Sequence, residues 1–226
     1  MAEQSMADPP EPRQRHTDTL KNRRREQLIK STITSIAKRG FADTTLANVA
    51  EGVGLSRGIV NFHFTNKETL LNDTLQYLAD EYRHVWRHAL DRAGPTVAER
   101  LYALVMADFD PVVYNRKKIA VWFAFYGESK SRPTYLALCE QRDEQHYIAL
   151  RDLCRQLLDE SGRMTVDADL IATAISAIID GLWLDRLLTP NKMSTKRAKE
   201  TALGYLDTVF SGHFTLHTDA TDTRHV

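Results

Sequence analysis

The chain has 226 residues, of which 42% are hydrophobic and 27% charged, with 30 Lys and Arg balancing 30 Asp and Glu. That length accommodates one large or two small domains with an ordinary core. No apolar run reaches the ~18–20 residues of a membrane span, and the best candidate, Leu170 to Leu188, carries Asp180 and Asp185. No basic-plus-apolar leader opens the chain, so the expected location is the cytoplasm and no membrane partner is expected. Cys139 and Cys154 sit on what reads as one helix. They would lie ~22 Å apart there, too far for a disulfide, and are expected to be reduced thiols.

In chain order, residues 1–20 are rich in Pro, Gln, Asp and Glu and poor in large apolar side chains, which predicts a disordered arm. Asn22-Arg23-Arg24-Arg25 leads into a first helix in which Leu28/Ile29, Thr32/Ile33 and Ile36/Ala37 recur every four residues, and Gly40 ends it. The arginine run has two readings, a phosphate contact across the minor groove or a solvated first turn.

Thr44 to Lys67, TTLANVAEGVGLSRGIVNFHFTNK, reads as a helix-turn-helix. Leu46, Val49, Ala50 and Val53 form one apolar stripe. Gly54 can take the positive φ that a three- to four-residue turn needs, and Ser56 is placed to cap the second helix. A small Ala50, Gly54 and Val60 are expected to let the two helices cross. Ile59, Val60 and Phe64 face back onto the first helix. Arg57, Gly58, Asn61 and His63 are left facing outward, with donors and acceptors for phosphates or base edges.

Thr65-Asn66-Lys67-Glu68 predicts a capping box with Thr65 at the N-cap. The long helix it opens carries Leu71, Leu75, Leu78, Tyr82, Val85 and Ala89 on one side, and Gly94-Pro95 stops it. Lys67 is expected beside free backbone N–H groups, a natural phosphate site. Further helices are expected from Thr96 to about Phe109, Asn115 to Ser129, Pro133 to Glu160, Asp167 to Leu188 and Ser194 to Phe210, with a loose tail from Thr215. No stretch alternates like a strand, so the expected class is all-α.

Charge is unevenly spread. Residues 21–67 hold nine Lys and Arg against three acids, a net +6, which leaves −6 for the rest. A basic head on an acidic body is the electrostatic footprint of a nucleic-acid-binding domain. Trp122, Phe123, Phe125 and Tyr126 crowd one helix, with Trp86, Tyr102, Tyr114, Tyr147 and Trp183 elsewhere in the helical part. They read either as core or as the amphipathic wall of a cavity. His84 and His88 have metal-ligand spacing on a helix, but no Glu stands between them as in a zincin motif. They read as solvated, and no metal or cofactor is expected. A helical metal-binding or catalytic protein built on them is the alternative outside DNA binding.

The run Thr45–Ala50, with Gly54-Leu55-Ser56, Gly58-Ile59-Val60, Phe62-His63-Phe64 and Asn66–Leu70, resembles the DNA-binding domain of TetR-type repressors. One departure is Asn61, where that family usually carries a phosphate-contacting Tyr. Phe109-Asp110, Ala120–Tyr126, Pro133–Leu136 and Ile179–Leu184 resemble the C-terminal domain of the BetI-like, choline-pathway branch. The resemblance implies a ligand-responsive repressor, not an enzyme. A helix-turn-helix domain over residues 21–66 would precede a ligand-binding and dimerisation domain over 67–214. It implies that Arg57, Gly58, Asn61, Phe62 and His63 meet the major groove of a double-stranded, palindromic operator while Thr45, Ser56 and Lys67 hold phosphates. It implies a homodimer through the last two helices, which are apolar on more than one face. The small-molecule inducer, possible as a quaternary ammonium or as an uncharged apolar compound, would meet Trp86, Asp110, Trp122, Phe125, Tyr126, Tyr147 and Trp183. Asp110 or Asp180 would supply the counter-charge to a cation.

Overall fold

The computed structural model describes residues 12–163 and 166–214, and among these all regular structure is helical. The helices are α1 (Pro12–Arg39), α2 (Leu46–Glu51), α3 (Arg57–His63), α4 (Lys67–Asp91), α5 (Val97–Ala107), α6 (Arg116–Ser129), α7 (Pro133–Glu160), α8 (Ala168–Leu188) and α9 (Thr195–Val209). They form two compact units, the first ending at Thr74 and the second starting at Leu75. The division falls two turns into α4, later than the 66/67 boundary expected from the sequence. Leu70, Leu71 and Thr74 are buried, so the opening of α4 is packed like the rest of the head's core.

α1 also begins earlier than expected. The helix starts at Pro12, a residue whose fixed φ and missing N–H suit a first helical position, so residues 12–20 are helical. The expected arm shrinks to residues 1–11, which lie outside the described residues, as does the tail from Thr215.

The first unit is a three-helix head completed by the start of α4. Leu28, Ile29, Ile33 and Ile36 of α1, Val49 and Ala50 of α2, Val60 of α3 and Phe64 make its core. α1 meets α2 through small polar groups. Ser31 Oγ donates to the Val49 carbonyl at 2.8 Å, and the Ser35 and Thr44 hydroxyls lie 3.2 Å apart. Gly54 has φ +65°, as the turn requires, but nothing crowds it. The steric demand falls instead on Gly52, where an added Cβ would stand 2.5 Å from Ser31 Oγ. Gly52→Ala is therefore expected to cost about 1–2 kcal/mol, by displacing a buried hydroxyl from its carbonyl. In thermal melts the Ser31→Ala/Gly52→Ala double variant should lose less than the sum of the two single changes. Strictly additive losses would refute the contact.

α4 begins one residue later than the predicted box. Asn66, not Thr65, is the cap: its Oδ1 accepts from the Thr69 N–H at 2.8 Å, while the Thr65 hydroxyl pairs with that of Thr69 at 3.1 Å. Asn bonds the orphan donors of a first turn as well as Thr does. Thr96 and Glu99 form a full capping box at the start of α5. It holds the Glu99 carboxyl below the usual carboxylate range, through the Thr96 hydroxyl first and then the Thr96 N–H. Asn115, Asp167 and Ser194 each cap the helix that follows.

In the second unit α7 packs on α5, α6 and α8, and α8 also meets α9. Leu101, Leu104, Val105, Trp122, Phe125, Tyr135, Leu150, Leu157 and Ile175 are nearly inaccessible to solvent. Phe125 and Tyr135 meet edge to face with ring centroids 5.2 Å apart. Cys139 and Cys154 are buried and form no disulfide with each other. Burial pushes the Cys154 thiol up to about 12, so it is inert. α8 buries Ile171, Ile175, Leu182 and Trp183, yet Leu170 and Leu188 stay 69% and 66% exposed on the single chain.

Candidate nucleic-acid interface and ligand cavity

The head presents α3 outward. Arg57, Gly58, Asn61 and Phe62 are exposed and Phe62 is 71% accessible, while Val60 is fully buried beneath them. Gly58 has open space where a Cβ would project, 3.7 Å from Ser56 Oγ. Ser56 stands at the N-cap but makes no side-chain cap bond, which leaves its hydroxyl available outward. Thr45 caps α2 by accepting from the Asn48 N–H at 3.2 Å. That bond uses an oxygen lone pair and keeps the O–H proton for another acceptor.

Basic residues of α1 lie against the end of α3. Lys21 Nζ stands 5.7 Å from the Phe62 ring centroid, and the Arg25 guanidinium 5.7 Å from that of Phe64. Arg25 also pairs with Asp73 at 2.5 Å. Desolvation, then the charges of Lys21, Arg24 and Arg25, lowers the pKa of His63. The imidazole is held neutral near pH 7 and suits base-edge hydrogen bonding better than charge pairing. Lys67 is placed differently from the expectation. Its ammonium reaches back to the carbonyls of Phe41 and Ala42, at 3.3 and 3.2 Å, and over the Phe41 ring. The loop after α1 exposes carbonyls without helical partners, and the nearest cation satisfies them.

The second unit holds a cavity of about 500 Å³, partly open to solvent, with walls contributed by α4, the end of α5, α6, α7 and α8. Tyr126 and Tyr147 line it as expected, and so does Asp180. The other expected residues do not. Trp122 and Phe125 are core, 1% and 0% exposed. Asp110 turns its Oδ1 to the Val112 N–H at 2.7 Å, closing the loop before α6. Trp86 and Trp183 stand behind the wall, edge-on to His146 and Tyr82 respectively, and Trp183 Nε1 donates to the Asp108 carbonyl at 3.1 Å.

The polar centre of the cavity is Asp108, 2% exposed at the end of α5. Tyr82 of α4 donates its hydroxyl to Asp108 Oδ1 at 2.6 Å, and His146 Nε2 of α7 faces Asp108 Oδ2 at 3.5 Å. Glu140, Glu144 and Asp180 add acidic groups, and none of the described lining residues is Lys or Arg. The sequence held a signal for this trio that the motif reading passed over. Asp108 falls in the stripe Leu101, Leu104, Val105, and His146 stands four residues before Leu150 in that of α7. A charged or ionisable group inside an apolar stripe is costly unless partnered, and so marks a site.

His84 and His88 do stack, with ring centroids 6.0 Å apart, on the exposed side of α4. Among the described residues no three His, Cys, Asp or Glu side chains converge as metal ligands.

Residues 28–74 match the bacterial regulatory proteins of the tetR family, and residues 97–211 match the C-terminal domain of BetI-type transcriptional repressors. The HTH-type transcriptional regulator BetI of Stenotrophomonas maltophilia is 34% identical over 185 residues, covering 81% of this chain and 91% of that relative. The BetI regulator of Paraburkholderia xenovorans is also 34% identical, over 83% of this chain and 94% of its own. Among solved structures, a transcriptional regulator from Pseudomonas aeruginosa PAO1 superposes with TM-score 0.74 at 25% identity, over 85% of this chain and 93% of its own. One from Saccharomonospora viridis, in complex with choline, superposes with TM-score 0.71 at 22% identity, over 82% and 96%. The head and these matches together define a helix-turn-helix transcriptional repressor, not an enzyme. The chain belongs to the TetR family of bacterial regulators, in its BetI-type branch.

Proposed function

We propose that the protein binds a palindromic operator as a homodimer and is released from it by a choline-like quaternary ammonium compound. Supporting the ligand class is a buried carboxylate, Asp108, in a cavity whose described lining holds three further acids, three tyrosines and no Lys or Arg. A permanent cation gains from both features, because it cannot shed its charge on burial and is attracted to ring faces by about 0.5–2 kcal/mol each. Asp108, not Asp110, is the counter-charge in this reading. The regulator bound to choline lends weight as a protein of the same fold.

In the head, Arg57, Asn61, Phe62 and His63 meet the major groove, with Gly58 allowing close approach. Thr45 and Ser56 donate hydroxyls to phosphates, and Lys67 exchanges its loop carbonyls for phosphate oxygens. The exposed Leu170 and Leu188 of α8 favour a second copy as its cover. A two-fold pair of heads would meet two half-sites about one DNA turn, ~34–36 Å, apart. Phe62→Ala should leave the melting temperature within the range of a ~0.5 kcal/mol change while weakening operator binding several-fold. Unchanged operator affinity would remove Phe62 from the interface.

The test of the ligand class is calorimetric titration with choline and with 3,3-dimethyl-1-butanol, its uncharged carbon isostere. Choline should bind at least about tenfold more tightly, the worth of ~1.4 kcal/mol. Equal affinities would show that shape and apolar burial, not charge, select the ligand.

A further inference from the structure

Three groups from three elements meet in the cavity wall: Tyr82 of α4, Asp108 closing α5 and His146 of α7. All three are at least nine-tenths buried, yet all three line the space. The two carboxylate oxygens are used differently. Oδ1 accepts the Tyr82 hydroxyl at 2.6 Å, a neutral donor, while Oδ2 faces the imidazole Nε2 at 3.5 Å. A carboxylate so placed needs a positive charge nearby, and His146 is the basic side chain among the described lining residues.

We infer that cation binding at Asp108 is a proton exchange: the ligand's ammonium takes over the charge-balancing role of His146, which gives up its ring proton. This deepens the proposed ligand reading and rests on it. A quaternary ammonium is permanently charged, so its arrival beside Asp108 also puts a second cation beside a protonated imidazole. Like charges at that range in a desolvated site repel strongly. Losing the Nε2 proton to a buffer base removes the repulsion and leaves the cavity's net charge unchanged. Cation in and proton out balance. The ligand's affinity therefore falls as pH falls, because the proton competes for the same carboxylate.

Other titratable groups also face the site, and comparison with His146→Gln assigns the proton among them. Tyr82 on α4, Tyr126 on α6, Tyr147 on α7, the acids Asp108, Glu140, Glu144 and Asp180, and the Cys139 thiol line the cavity with His146. The ordinary range of an imidazole spans the interval from about pH 5.5 to about pH 7.5. Choline has no titrating group in that interval, so any dependence belongs to the protein.

The experiment is calorimetric titration of the full-length wild-type protein with choline chloride at several pH values across that interval. Each titration is run in two buffers of different ionisation enthalpy, which counts the protons released. Release should approach about one proton per choline at the acid end and decline toward zero at the alkaline end. The affinity should drop toward about tenfold per unit of pH on the acid side. His146→Gln should abolish the proton release and flatten the affinity profile. Choline binding with no proton release at any pH, or with the same release in the Gln variant, would overturn the exchange. No choline binding at any pH would overturn the ligand reading beneath it, a result distinct from binding without protons. The wild-type proton count needs no variant, so a Gln protein that folds poorly would not spoil the test.

Discussion

Asp108→Asn is expected to weaken choline binding by about a hundredfold. The amide matches the carboxylate in size and can still accept from the Tyr82 hydroxyl, now 2.6 Å from Asp108 Oδ1, so the cavity keeps its shape. What disappears is the charge. Removing one partner of a buried charge pair costs about 2–5 kcal/mol, a factor of roughly thirty to several thousand. Asp110→Asn is the control. Asp110 serves the Val112 N–H rather than the cavity, so its change should move choline affinity by less than about twofold. Calorimetry on both variants, with the helical circular dichroism signal as a check of folding, separates the two residues. A large loss with Asp110→Asn and none with Asp108→Asn would restore the sequence-based assignment and reject the structural one.

Operator affinity is expected to fall by on the order of 10³-fold as salt rises from about 50 to about 200 mM. The head carries a net +6 over residues 21–67 while the remainder of the chain is acidic, so attraction to DNA is concentrated there. A dimer would bring two copies of Arg57 and of the Lys21, Arg24 and Arg25 cluster beside α3. Each cation that meets a phosphate displaces a condensed counterion, and the slope of log affinity against log salt counts such contacts. Lys21→Ala should lower that slope by about one per subunit if this stretch of α1 lies along the DNA backbone. Fluorescence anisotropy of a labelled duplex across a salt series measures it. A slope that does not respond to Lys21 would make the basic stretch of α1 a solvated surface.

Periodicity and caps were enough to draw most of the helical fold. Gly40, Gly54 and Gly162 adopt positive φ, and Thr96, Asn115, Asp167 and Ser194, where the helices were expected to start, cap them. Such signals are local, because a few consecutive residues carry the whole physical cause. The misses are also physical. Thr65 and Asn66 are adjacent and both can cap, and which one does depends on where the chain leaves α3. Gly52 matters through Ser31, a residue far away in sequence, so its close contact was invisible along the chain.

The cavity was legible only in part. Aromatic density pointed to the unit that holds the cavity, and Tyr126 and Tyr147 line it, whereas Trp122 and Phe125 are buried in the core. Large rings are favoured by core and pocket for the same reason, the area they bury, so residue type alone cannot separate them. Asp110 completes the motif Phe109-Asp110, which is why the sequence singles it out, while Asp108 belongs to no motif. Amphipathic position points to Asp108 instead, since it continues the apolar stripe of α5, while Asp110 lies beyond the helix end. In the head, the outward set Arg57, Gly58 and Asn61 followed directly from the 3.6-residue period. Lys67 did not, because its partners are the loop carbonyls of Phe41 and Ala42.

The most direct test of the whole account is fluorescence anisotropy of a labelled duplex taken from the DNA flanking the protein's own gene, titrated first with protein and then with choline. The account predicts saturable binding with two subunits per palindrome, followed by release as choline fills the cavity. The coupling between sites should be about 1–3 kcal/mol, a roughly five- to 150-fold loss of operator affinity. Operator binding that choline leaves unchanged, in a protein that calorimetry shows to bind choline, would contradict the proposed coupling between cavity and head.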